Sequence, residues 1–179
     1  MIIPKEITPD TLRLSLESIQ DCQLFGNQLA PILSKKLPCV IGLVGTLGAG
    51  KTQLVKFLAQ SLGANPEDVF SPTFVLIHPI GTTPEIFHVD AYRIHDSDEF
   101  LELGIEELFE QPAITIIEWA DRFPECMPKN TLWIQIHTHN PQSQSRLIQI
   151  GNLLKHPKLQ EQLVQVFGQP TKDNSKIQP

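Results

Sequence analysis

Gly45, Gly50, Lys51 and Thr52 stand in the spacing G-x-x-x-x-G-K-T, directly after the apolar run "CVIGLVG". Those residue types at those intervals suit one task, the holding of a nucleoside triphosphate. Glycines let the backbone turn so that its N–H groups face phosphate oxygens. The helix that must follow offers its positive end to the same anion. Lys51 can reach the β- and γ-phosphates, and Thr52 can place its hydroxyl on Mg²⁺. The candidate nucleotide-binding stretch is therefore Gly45, Thr46, Leu47, Gly48, Ala49, Gly50, Lys51, Thr52 and Gln53.

A Mg-nucleotide site also needs acid at the ends of neighbouring strands, where ligands gather in open α/β sheets. Asp90 ends "IFHVD" and Glu118 ends "ITIIE". Either could hold Mg²⁺, directly or through water, or orient an attacking water. "SPTF" adds Ser71 and Thr73, hydroxyls of the kind that sense a γ-phosphate in switch loops, although such a segment is commonly just a turn. Tyr92 and Trp119 serve either as stacking surfaces or as packing. His137 and His139 share a strand face without a third ligand nearby, so an exposed face accounts for them better than a metal.

The surrounding elements must position these groups. "DTLRLSL" alternates as a short strand, and a helix follows with Ile19, Leu24, Phe25, Leu29, Ile32 and Leu33 at helical spacing. "CVIGLVG" reads as a strand buried on both faces, and "KTQLVKFLAQSLG" as a helix stopping near Gly63. "SPTFVLIHPI" and "EIFHVDAYR" read as strands joined by "GTTP". Asp96 with Glu99 forms a capping box for an acidic helix that Gly104 bends or breaks. "PAITIIEW" is another buried strand, and "TLWIQIHTH" with "SRLIQIGN" a late antiparallel hairpin. The expected fold is α/β: a three-layer sandwich of the phosphate-loop NTPase type, with a largely parallel central sheet and late antiparallel strands. Residues 1–155 form its one domain, and 156–179 a short helix and a polar, disordered tail.

The 179 residues carry a formal net charge of −6. Binding of nucleic acid leans on Lys and Arg, so this surface argues against direct grip of RNA or DNA. The run "DSDEFLELGIEELFE" holds seven carboxylates and no Lys or Arg. Three scattered cysteines, the absence of a secretory leader and the lack of a long apolar run fit a cytoplasmic chain.

Taken in order, "GTLGAGKT", "SPTFVL", "FHVDAYRI", "LELGIEELF", "IEWADRF" and "RLIQIGN" resemble the TsaE (YjeE) family, over roughly residues 18 to 151. The resemblance implies an ATPase that supports threonylcarbamoyl modification of tRNA adenosine. It implies ATP and Mg²⁺ as cofactors, with Gly45, Gly48, Gly50 and Lys51 on phosphate and Thr52 and Glu118 on the metal. Asp90 then matches the carboxylate required for hydrolysis, Thr73 the switch threonine near the γ-phosphate, and Trp119 the family's "EW" tryptophan. The implied partners are the TsaD and TsaB proteins, with tRNA met only through that complex. One departure is Thr46, where the family commonly has Asp. Two other functions share the loop. A small-molecule or nucleoside kinase needs an arginine-bearing lid, but Arg93 and Arg122 stand isolated. A GTP switch needs N-K-x-D, and "PKNT" has the wrong order.

Overall fold

The computed structural model describes residues 1–70, 72, 76–138, 140 and 143–168. The chain begins with β1 (Ile2–Ile7), which pairs antiparallel with β2 (Leu12–Leu16). β1 was not expected from the sequence. It lies at the sheet edge, and only Ile2 of its six residues is fully buried, so apolar alternation is weak. Helix α1 (Ile19–Leu33) follows, with the Ser18 hydroxyl accepting from the Asp21 N–H. Its Phe25, Leu29, Ile32 and Leu33 are buried as expected, whereas Ile19 and Leu24 are exposed.

β3 (Cys39–Val44) is buried along nearly its whole length because strands flank it on both sides and helices cover both faces. It leads into α2 (Lys51–Ser61), which ends just before Gly63. β4 spans Ile77–Ile80, and positions 71 and 73–75 of the expected strand lie outside the described residues. Leu76 sits in left-handed backbone at φ 68° and cannot extend the strand. Ser71 and Thr73 lie outside the described residues.

β5 (Ile86–Asp90) pairs antiparallel with β4 and parallel with β6 (Ile114–Glu118). Gly104, at φ 71°, divides the acidic segment into α3 (Ser97–Glu102) and α4 (Ile105–Phe109). Asp96 caps α3 through the Glu99 N–H. The expected capping box is incomplete in one respect: the Glu99 carboxylate accepts from the His95 N–H, one residue further back than the cap itself. β7 (Leu132–His137) and β8 (Arg146–Gly151) form the late antiparallel hairpin. His137 is exposed at the strand end, and His139 is outside the described residues.

The sheet order is β1-β2-β8-β7-β3-β6-β5-β4. Its centre, β7-β3-β6-β5, is parallel, and the antiparallel pairs lie on either side. One face packs against α1, α2 and α5 (Pro157–Phe167), the other against α3, α4 and the turns after β6. Leu159, Leu163 and Phe167 of α5 are buried in the main core, and the Phe167 ring lies 5.2 Å from that of Phe25. Burying each aromatic contributes about 2 kcal/mol, which is what docks α5 to α1. The tail expected to be disordered lies outside the described residues from 169 onward. Among the described residues no helix is long and apolar enough to cross a membrane.

Candidate nucleotide site

Parallel pairing puts the carboxyl ends of β3, β5 and β6 at one edge. In the ladder Leu43 faces Glu118, and Glu118 faces Asp90. The loop leaving β3 therefore turns directly beside both acids. Two of its glycines have a structural reason. A Cβ on Gly45 would fall 2.6 Å from the Ile136 carbonyl oxygen, so only glycine permits that close approach. Gly50 precedes α2 at φ 108°, in left-handed backbone, and offers no side-chain cap. The first N–H groups of α2 thus have no side-chain cap, an arrangement suited to an anion.

Lys51 is 4% exposed, and its ammonium donates to the Gly45 carbonyl at 2.7 Å and the Thr46 carbonyl at 3.1 Å. The same nitrogen lies 3.5 Å from the centre of the Trp119 ring, a cation–π contact. Burial pushes its pKa below the usual lysine range, against the opposing pull of Glu118, Asp90 and Asp121. Trp119 holds its ring there from a left-handed residue at φ 62°, with its N–H on the Leu43 carbonyl. The Tyr92 ring packs beside it at 5.0 Å.

The Thr52 hydroxyl donates to Glu118 Oε1 at 2.7 Å. His88 Nε2 meets the same oxygen at 2.8 Å, and His88 is wholly buried. Asp90 is 3% exposed and accepts the Tyr92 N–H at 3.0 Å. Leu47, Gly48, Gly50, Lys51, Thr52 and Gln53 join Asp90, Glu118 and Trp119 around a cleft of about 390 Å³. Thr46 supplies its carbonyl to Lys51, and Ala49 lines a neighbouring cavity. Thr73 lies outside the described residues.

A profile of the family described as "Threonylcarbamoyl adenosine biosynthesis protein TsaE" matches residues 16–148. This chain belongs to the TsaE family. Among its TsaE relatives, the "tRNA threonylcarbamoyladenosine biosynthesis protein TsaE" of Treponema pallidum is 32% identical over 70% of this chain and 90% of its own. The protein of the same name in Haemophilus influenzae is 32% identical over 74% of this chain and 85% of its own. That of Aquifex aeolicus is 40% identical over 62% and 78%. In fold, the chain matches the crystal structure of Bacillus subtilis YdiB with a TM-score of 0.69, at 23% identity, over 93% of this chain and 97% of that one.

Two residues at this TsaE site were not singled out by sequence reasoning. His88 lay inside the "HVDAYR" stretch, and its type alone did not separate it from a core histidine. Arg146 opens β8 and donates to the Ala49 carbonyl at 2.6 Å. Arg122, by contrast, is committed to the turn after β5, donating to the Ala91 carbonyl at 2.8 Å and also to that of Tyr92.

Proposed function

We propose that this chain binds Mg-ATP at the loop Gly45–Gln53 and hydrolyses it, slowly alone and faster when docked on the TsaD–TsaB pair, in support of threonylcarbamoyl modification of tRNA adenosine next to the anticodon. The observation that carries the reading is the convergence of Lys51, Thr52, Asp90 and Glu118 on one cleft at the carboxyl edge of the parallel strands. A hydroxyl and a carboxylate facing each other at 2.7 Å form an all-oxygen donor set suited to Mg²⁺, which prefers few protein ligands beside phosphate oxygens. No group of three or more His, Cys, Asp or Glu fit to hold a metal occurs among the described residues, so a dedicated protein cage is not the better account.

Each residue then has a task. The N–H groups from Gly48 to Thr52 hold phosphate oxygens, and the Lys51 ammonium exchanges its carbonyl contacts for the phosphates. Thr52 and Glu118 would hold the metal, which would supply positive charge against that of the phosphates. Asp90 orients the attacking water. Thr73 senses the γ-phosphate. A second cavity of about 460 Å³ meets the first along Gly48, Gly50 and Gln53, and its Ile19, Phe25 and Ile136 give an apolar wall for base and ribose.

Fast hydrolysis by a phosphate-loop enzyme also draws on a cation placed on the transferring phosphoryl group. Arg122 is held by backbone carbonyls, which favours a partner as the source of that contact. The net charge of −6 favours a partner as the tRNA-binding surface too. The experiment is ATP hydrolysis by the isolated chain and again with the TsaD–TsaB pair, with tRNA binding followed in parallel. Slow hydrolysis that accelerates with the pair, and weak tRNA binding by the isolated chain, are expected. Rapid hydrolysis unchanged by the pair would point to a self-sufficient enzyme instead.

A further inference from the structure

Arg146 stands 97 positions from Ala49 in the sequence, yet its Nε donates to the Ala49 carbonyl at 2.6 Å. Its Nη1 donates to the carbonyls of Ser143 and, at 2.8 Å, Ser145. One half-buried guanidinium thus binds three backbone oxygens. Two lie on the segment entering β8, and the third lies inside the phosphate loop. β8 is held in register on β2 and β7, so the anchor is a rigid one.

We infer that Arg146 is a positioning residue for phosphate: by holding the Ala49 carbonyl on its own side, it aims the Gly50 N–H into the nucleotide cleft. The reason lies in the peptide plane. In a trans peptide the C=O of one residue and the N–H of the next point in opposite directions. Ala49 lines the cavity that Arg146 also lines, while Gly50 lines both that cavity and the cleft of Lys51 and Glu118. Fixing the Ala49 carbonyl toward Arg146 therefore fixes the Gly50 N–H away from it. A glycine on left-handed backbone has several accessible peptide orientations, and the loop has no side chain of its own at Gly50 to select among them. Arginine suits this work because its fork presents several rigid donors at once. The same guanidinium ties the segment of Ser143 and Gln144, which line that cavity, to the phosphate cradle.

The inference rests on the nucleotide-binding reading. It is tested by calorimetric titration of Mg-ADP and Mg-ATP into the full-length wild type, Arg146→Gln and Arg146→Lys. The ¹⁵N–H resonance of Gly50 and the melting temperature are followed in each. Loss of one charge-assisted contact to the loop is expected to weaken both nucleotides about tenfold in Arg146→Gln. The Gly50 resonance should shift strongly on ADP binding in the wild type and less in the variant, at a similar melting temperature. Arg146→Lys, which keeps the charge and part of the contact, should weaken binding less and serves if the Gln variant does not fold. Wild-type affinity in a folded Arg146→Gln, or a Gly50 shift equal to the wild type's, overturns the positioning role. Failure of the wild type to bind either nucleotide overturns the nucleotide reading and the inference with it.

Discussion

Thr52 and Glu118, 66 positions apart, meet through one hydrogen bond of 2.7 Å between the threonine hydroxyl and Oε1. That bond joins the first turn of α2 to the end of β6, where the proposed divalent cation would enter. Glu118→Gln keeps the shape and removes the charge. It is expected to flatten the Mg²⁺ dependence of ATP affinity, read by titrating the metal at fixed nucleotide. An unchanged Mg²⁺ dependence would remove Glu118 from the metal site.

In the proposed function Asp90 differs from Glu118 in its task, so its loss should read differently. Asp90→Asn is expected to slow hydrolysis in the partner complex about a hundredfold, the scale of a lost general base, while ATP affinity stays within a few-fold. Carboxylates that act on the attacking water count chiefly in the transition state. Hydrolysis at the wild-type rate would contradict this role.

His88 presses on the same Glu118 oxygen that Thr52 does. Partners that orient metal-binding carboxylates are worth about 10- to 100-fold in metal affinity or activity. His88→Leu is expected to lose hydrolysis on that scale. His88→Gln, whose amide reaches to a position close to Nε2, should recover part of it. Equal activity in all three proteins would make His88 a packing residue only.

The ammonium of Lys51 over the Trp119 ring makes an optical probe. Phosphate should draw the ammonium off the indole, so Trp119 emission is expected to change with ADP and to saturate. The other tryptophan, Trp133, packs half-buried against the core and is not among the residues lining the cleft, so it supplies a background. The signal should vanish in Trp119→Phe. A nucleotide-dependent signal that survives this substitution would place the probe elsewhere.

The parts legible in the sequence were those encoded within a few residues. The apolar run before G-x-x-x-x-G-K-T specified β3, the loop and α2, and strand ends specified Asp90 and Glu118. β1 was missed because an edge strand leaves half its pattern to solvent, as Lys5, Glu6 and Ile7 show. His88 and Arg146 were missed because their partners lie 30 and 97 positions away, and only the folded sheet brings them together. Leu76, just before β4, is left-handed, and no residue type announced it.

His156 at the start of α5 gives a pH dependence of stability. Burial first, and the ammonium of Lys36 in contact with it second, hold its pKa below the ordinary 6.5, against the opposing pull of the Asn130 backbone carbonyl. The unfolded chain therefore takes up a proton that the folded chain resists. Stability is full above about pH 6.5 and is lost as the pH falls through the folded value. Melting curves between about pH 7.5 and 5.5 should fall more steeply for the wild type than for His156→Asn. Parallel curves would contradict the assignment.

The most direct measurement is calorimetric titration of Mg-ATP into the wild type and Lys51→Ala. Lys51 is a buried cation of the cleft, beside the loop's N–H groups. Its removal should cost about a hundredfold in affinity, two charge-assisted contacts' worth, in a protein that still melts cooperatively. Saturable one-to-one binding by the wild type, weakened on that scale in Lys51→Ala, is the expected result. Equal ATP affinity in a folded Lys51→Ala would contradict the nucleotide site itself.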